Sequence, residues 1–277
     1  METQKPLMIA VVNDIHQNMH LVERMEKYWK INNIKVDYLI VCGDFANMNV
    51  HNQDNPDIVA SSIDDCKKII KELEKLCPTV LYVPGNHDPT TLFHNSMHHS
   101  VQLTENSINL HRCAYHLKDN LVVVGCGGSV PQYDKHICHK VGYPYETDEQ
   151  YKVHLNEIMP EDGSVPTTKI TDSLIIVTHN GPSCSHTALK FSHNKSVMQT
   201  GSTALSKLIE NPAYKRRLTC VLHGHTHDSQ GLVNHELIPI INAGALKRNQ
   251  NFVVLTLREI KGNWKVTDTN FHCFGYI

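Results

Sequence analysis

The sequence predicts an α/β fold built on a parallel sheet. Three observations carry this: short β-branched runs recur along the 277 residues, helical periodicity separates the first three, and several runs stop abruptly at polar, ligand-type residues. The first runs are MIAVV at 8–12, YLIVC at 38–42 and VLYV at 80–83. They are apolar at every position, as in strands covered on both faces. Between the first two, Leu21, Val22, Met25 and Trp29 mark one helical face, and before the third Ile63, Cys66, Ile69, Ile70 and Leu73 mark another. A strand, helix, strand, helix, strand order calls for parallel pairing.

Five later runs, LVVVG at 121–125, LIIVT at 174–178, CVL at 220–222, LIPII at 237–241 and FVVLTL at 252–257, lie closer together with little helix between them. That spacing points to a second or mixed sheet. The segments 89–118, 126–170 and 183–219 are richer in Asn, His, Ser and Pro and are expected to be long loops with short helices. Loops of that length in a compact domain usually cover or shape a site. No repeat or low-complexity linker divides the chain, so one domain spanning 1–277 is expected.

Composition narrows the function classes. Hydrophobic residues make up 40%, charged residues 19%, and the net charge is −2, which is ordinary for a globular protein. The one tight basic cluster is Lys215, Arg216 and Arg217, so there is no strong nucleic-acid signal. Nine cysteines without a CxxC pair argue against a disulfide framework. The first apolar run, LMIAVV, is too short for a signal sequence, and no run reaches the roughly 18 residues of a membrane span. A cytoplasmic protein with no membrane association is expected.

The chemistry is written at the strand ends. VVNDIH ends with Asp14 and His16, VCGDFAN carries Asp44, VPGNHD carries Asn86 and His87, IVTHNGP carries His179, and VLHGHTH carries His225 and His227. Ligands of α/β sheets gather outside the carboxyl ends of the strands, so five such ends aimed at one spot would bind a polyvalent cation. Alternation along an extended chain would turn Asp14 and His16 to one side, and likewise His225 and His227. Gly43, Gly85 and Gly224 would let the backbone turn sharply or approach closely. His51, His94, His98, His99, His136, His139, His193 and His235 follow no such pattern and read as ordinary surface or core residues.

The ordered set D-x-H, G-D, G-N-H-D, H, G-H-x-H resembles the calcineurin-like metallophosphoesterase superfamily, in its small, phosphodiesterase-like branch. Asn242–Ala243–Gly244 resembles a short motif after the site, with Ala245 where Ser is common. The resemblance implies a four-layer α-β-β-α sandwich with two mixed sheets and a dinuclear centre. Asp14, His16 and His227 would hold one ion, Asn86, His179 and His225 the other, and Asp44 would bridge them. Oxygen and imidazole donors without thiolate suit Mn, Fe, Zn, Co or Ni. Cys42 then reads as a buried structural residue.

The implied reaction is in-line attack on phosphorus by a hydroxide that bridges two ions roughly 3.5 to 4 Å apart. His87 would contact substrate together with Asn86 and protonate the leaving oxygen. In many relatives an acid follows the G-D motif and orients that histidine, whereas here Asn47 stands in its place and would accept the ring N–H instead. The absence of this acid, and of the Arg that would follow it, argues against the protein Ser/Thr phosphatase branch. A small phosphoester is the expected partner, with cyclic nucleotides among the candidates. Tyr133, His136 and Tyr143 lie where they could reach a base or sugar, and Gly127, Gly128 and Ser129 where they could wall a pocket. The rival readings are a non-catalytic protein-binding scaffold on the same fold and a His-rich metal buffer. All seven ligand positions carry competent residues, and their placement one strand end at a time disfavours both.

Overall fold

The structure is a computed structural model that describes residues 5–134, 137–191 and 197–275. It opens with β1 (Leu7–Val12), α1 (Met19–Ile31), β2 (Tyr38–Val41), α2 (Pro56–Glu74), β3 (Val80–Tyr82) and β4 (Ser107–Asn109). The two helices form where the periodicity placed them. Leu21, Val22, Met25 and Trp29 are the buried face of α1, and Cys66, Ile69, Ile70 and Leu73 lie on that of α2, with Ile63 at its margin. α2 begins at Asn55, whose side chain accepts the Asp57 and Ile58 amides, followed by Pro56 in the first turn.

The chain continues through β5 (Cys113–Lys118), β6 (Leu121–Cys126), β7 (Gln132–Asp134), β8 (Ile137–Lys140), α3 (Asp148–Ile158), β9 (Ser173–Thr178), β10 (Leu189–Phe191), β11 (Val197–Gln199), α4 (Thr203–Glu210) and α5 (Pro212–Lys215). It closes with β12 (Leu218–His223), β13 (Gly231–His235), β14 (Ile238–Asn242), α6 (Leu246–Asn249), β15 (Asn251–Ile260) and β16 (Asn263–Cys273).

Two six-stranded mixed sheets result, in the orders β16-β15-β1-β2-β3-β4 and β13-β14-β12-β9-β6-β5. Strands β1 to β4 are parallel, and β15 returns antiparallel to β1. In the second sheet β6, β9, β12 and β14 are parallel, with β5 and β13 antiparallel at the edges. All eight runs read from the sequence are strands. The segments expected to be long loops are partly ordered instead. They contribute β4, β5, α3, α4 and a small separate sheet in the order β10-β11-β7-β8.

Alternation along the strands sorts their side chains into three apolar layers. Ala10 and Val12 face α1 and α2, while Ile9 and Val11 face the second sheet, where they meet Ile175, Val177 and Leu222. Val122, Val124 and Ile176 turn outward onto Tyr151 and Leu155 of α3 and Leu205 of α4. Helices, sheet, sheet and helices are therefore the four layers, and the central strands have no wet face. The carboxyl ends of β1, β2 and β3 in one sheet, and of β9 and β12 in the other, carry the predicted site. Ile175, fully buried between the sheets, tests this packing: Ile175→Ala should cost about 2–5 kcal/mol in urea denaturation. A loss below about 1 kcal/mol would mean that the inter-sheet layer is not a close-packed core.

Candidate metal centre

Each site residue follows a strand end directly, but the backbone does not continue as pleated strand. Asp14, His16, Asp44 and His225 have φ values of +52°, +50°, +58° and +65°. This left-handed region costs a non-glycine residue about 1–3 kcal/mol. The pairs Asp14–His16 and His225–His227 therefore do not converge by the alternation of an extended chain. The loops after β1 and β2 lock the conformation together: the Asp14 amide donates to Gly43 O at 3.1 Å, His16 to Asp44 O at 2.9 Å, and Gln17 to Phe45 O at 2.7 Å.

Asp88, the last residue of the G-N-H-D run, supplies the other tie. Its carboxylate accepts the amides of Asp44 (2.9 Å), Ala46 (2.8 Å) and Gly85 (2.7 Å), joining the β2 and β3 loops. Gly85 is obligatory here, because a Cβ would sit 2.2 Å from Asp44 Oδ1. Gly43, at φ +94°, has the Gly85 backbone 2.6 Å from where its Cβ would lie. The Asn242 side chain donates to Thr226 O and Thr187 O and accepts the Gly244 amide, bracing the loop that carries His225 and His227. Leu246 and Lys247 donate to Asn13 O and Asp14 O, so the segment after the Asn-Ala-Gly motif closes on the β1 loop.

All seven predicted side chains meet. Asp14, His16, Asp44 and His227 place one donor atom each within 4.8 Å of one another. His227 Nε2 lies 3.2 Å from Asp14 Oδ1 and 3.4 Å from His16 Nε2. On the other side of Asp44, His179 Nε2 lies 3.0 Å from Asn86 Oδ1 and 3.2 Å from His225 Nδ1. Asp44 Oδ2 stands between the two groups, 3.5 Å from both His16 Nε2 and His179 Nε2. Donors bound to one ion at about 2.0–2.2 Å are themselves roughly 3–3.5 Å apart, and these separations match. Asp14 Oδ1 is buried and meets the His227 ring at 3.2 Å, so an ion bound there would displace the proton between them.

The tautomers of His179 and His16 agree with that reading. His179 Nδ1 donates to Cys42 O at 2.7 Å, which leaves the Nε2 lone pair facing the cluster. His16 Nδ1 pairs with Asn47 Oδ1 at 3.2 Å, with the same result. Here the sequence expectation is corrected: Asn47 orients His16, and His87 is oriented by the Met48 carbonyl, 2.9 Å from its Nδ1. The Gln132 amide nitrogen on β7 lies 2.6 Å from His225 Nε2, which accepts from it, so the inward Nδ1 carries the ring proton and faces His179 Nε2 at 3.2 Å; ligation through Nδ1 requires the Gln132 amide to turn its oxygen to Nε2. Nothing in the residue pattern identified Gln132, because its strand belongs to the small sheet. Cys42 is fully buried between the two sheets, and burial pushes its thiol well up, as a structural cysteine requires.

Charge is distributed unevenly over the cluster. Burial alone would raise the Asp44 carboxyl, but His179, His16 and His87 hold it well below the usual carboxylate range. Burial pushes His225 well below its ordinary 6.5 and, against Asp44 and Asp14, lowers His16 too, so both rings are neutral and ready to ligate near pH 7. For His227 burial acts in the same direction, yet Asp14 outweighs it and raises that ring above 6.5.

A cleft of about 410 Å³ opens beside the cluster, lined by Asn47, Met48, Asn86, His87, Lys140 and Tyr143 among others. His87 is half-buried in it, its ring centre 5.1 Å from that of His16. Of the other pocket suggestions, Tyr143 lines this cleft, Tyr133 lines a different one, and His136 lies outside the described residues. The Gly127–Gly128 turn packs on Pro84, the Gly128 amide donating to its carbonyl, and does not line the cleft.

The sequence profile of the calcineurin-like phosphoesterases matches residues 7–229, more than half of the chain and all of the cluster. The chain belongs to the calcineurin-like phosphoesterase family. It is thus a phosphoric ester hydrolase of a family that generally uses divalent metals, and the oxygen and imidazole donors described above fit such an ion. Among solved structures, this phosphoesterase resembles TT1561 of Thermus thermophilus, with a TM-score of 0.57 at 13% identity over 98% of this chain and 100% of that one. A dimetal phosphatase from Danio rerio aligns with a TM-score of 0.56 at 12% identity, over 98% and 100% of the two chains. GAP50, described as the anchor in the inner membrane complex of Plasmodium, gives 0.52 at 12% identity over 98% and 85%. At these identities the likeness is one of fold. No curated protein matches the sequence.

Two outcomes follow from the geometry. Because Asp14 raises His227 above 6.5, a metal must displace that proton, so affinity should weaken as pH falls through the raised value and level off above it. Calorimetry near pH 6.5 in buffers of different ionisation enthalpy should register proton release on Mn binding, and its absence would remove His227 from the ligand set. Asn47→Ala, by freeing the His16 ring, should weaken metal retention about 10–100-fold in chelator competition. Unchanged retention would mean that the Asn47 contact does not position a ligand.

Proposed function

We propose that the protein is a metal-dependent phosphodiesterase with some monoesterase activity, working on small phosphoesters, cyclic nucleotides among them, through a dinuclear centre. The observation that carries this reading is the position of Asp44 Oδ2, equidistant from His16 and His179 between two sets of donors. Asp14, His16 and His227 would hold one ion, Asn86, His179 and His225 the other, and Asp44 would serve both. Mn, Fe, Zn, Co or Ni would satisfy the donors. When bound, the ions supply Lewis acidity toward phosphoryl oxygens and a water acidic enough to attack phosphorus.

The chain's own groups do the rest. Asp14 and Asp44 contribute two buried carboxylates, which offset only part of the charge of two divalent cations, so an anionic phosphate is favoured in the site. Asn86 and His87 line the cleft and contact the ester. With Nδ1–H held by the Met48 carbonyl, His87 presents Nε2 to the cleft, and in its imidazolium form it delivers the Nε2 proton to the leaving oxygen and is left as the neutral Nδ1–H ring. Asn47 in the acid's place, spent on His16, supports a diesterase rather than a protein phosphatase reading.

The reading treats 1–277 as one domain, which is supported by β15 and β16 from the end of the chain completing the sheet begun by β1. A cytoplasmic setting is supported by nine free cysteines, and no described helix is long and apolar enough to cross a membrane. A protein-binding scaffold on the same fold is the alternative, and the complete donor set counts against it.

Metal content by mass spectrometry, measured beside turnover of bis(p-nitrophenyl) phosphate and p-nitrophenyl phosphate with Mn added or chelated, tests the reading. Asp44→Asn should abolish metal and activity together. His87→Ala should retain metal and slow turnover about 10²–10⁴-fold, most for poor leaving groups. Loss of metal from His87→Ala would overturn the division between ligand and acid, and a fully loaded protein that hydrolyses neither ester would overturn the activity.

A further inference from the structure

One cation in the cleft is left unused by the chemistry above. Lys140 ends β8, and its partner across the antiparallel pair is Gln132 of β7. Directly opposed residues project from the same face of a ladder. Since Gln132 reaches His225, the small sheet turns Lys140 toward the same cluster, and Lys140 lines the cleft that Asn86 and His87 share. Among the described residues no carboxylate forms an ion pair with it, in contrast to Lys152 and Lys215, which pair with Glu161 and Glu236. Lys140 is exposed at the rim of the cleft, and although burial first and then Lys190 lower its ammonium below the ordinary lysine value, Asp44 and Asp14 act to keep it charged.

The proposed centre already accounts for the reacting group, whose charge its ions would offset and whose leaving oxygen His87 would protonate. Lys140 stands on the cleft wall beside Val141 and Tyr143, with Met48 and Val50 also lining it. Val141 is 61% exposed, so the wall offers apolar surface beside the charge. This wall suits the organic part of a substrate, and a cation on it suits an anion carried by that part.

We propose that Lys140 is a substrate-positioning residue that pairs with a second anionic group, so that the preferred substrates are organic phosphoesters bearing a further phosphate or carboxylate. The inference rests on the phosphoesterase reading above. A charge-assisted contact of this kind is specific to the doubly charged substrate and is screened by salt.

A matched pair of chromogenic diesters tests it: thymidine 5′-(p-nitrophenyl phosphate) with and without a 3′-phosphate, which share the leaving group and the reacting phosphorus. Lys140→Gln should raise KM about tenfold for the 3′-phosphorylated ester. It should leave kcat within about twofold, change the unphosphorylated ester little and keep the metal content of the wild type. Lys140→Arg should restore most of the loss, and the preference for the doubly charged ester should shrink with added salt. Equal effects on both esters, or none, would overturn the assignment. Should the metal-loaded wild type hydrolyse neither ester, the activity reading fails. Lys140 is then judged by calorimetry with thymidine 3′,5′-bisphosphate, whose affinity should fall about tenfold in Lys140→Gln, an unchanged affinity refuting the role.

Discussion

The site depends on one buried carboxylate. Asp44 stands where the β2 loop meets imidazoles from both sheets, its Oδ2 3.5 Å from His16 and from His179 and its Oδ1 taking the His87 amide at 2.8 Å. It is 1% exposed, and a charge so far from water persists only where opposite charge and hydrogen bonds compensate it. The donors therefore crowd around it, and most other features of the site keep them there.

That crowding is held against the backbone's own preference. Four of the clustered residues adopt left-handed backbone without being glycine, a strained conformation that persists when the surroundings over-determine it. Here they do. The β1 loop is hydrogen-bonded to the β2 loop, the β2 loop is tied to the β3 loop by Asp88, and Asn242 braces the loop after β12. The interlocked loops stand on two sheets packed face to face, so they inherit a rigid base.

A second set of contacts decides which nitrogen each ring presents. Cys42 O and Asn47 Oδ1 take the outward nitrogens of His179 and His16, and Met48 O takes that of His87. Such partners fix ring orientation and tautomer and so prepare a ligand or an acid before any ion or ester arrives.

The sequence by itself determined the eight principal strands, the two helices on the first sheet and all seven clustered residues with His87. Each of these is a local signal: apolar runs and periodicity are read over a few residues, and Asp14, Asp44, Asn86, His179 and His225 each follow their own strand directly. Tertiary structure alone decided how they meet. The left-handed turns at Asp14 and His225, the transfer of Asn47 from His87 to His16, the grip of Asp88 on the Asp44 and Ala46 amides and the approach of Gln132 to His225 all depend on partners 30 to more than 200 residues away in the chain. Side-chain type announces what a residue can bind, whereas its hydrogen-bond partner is set by distances that exist only once two sheets have packed.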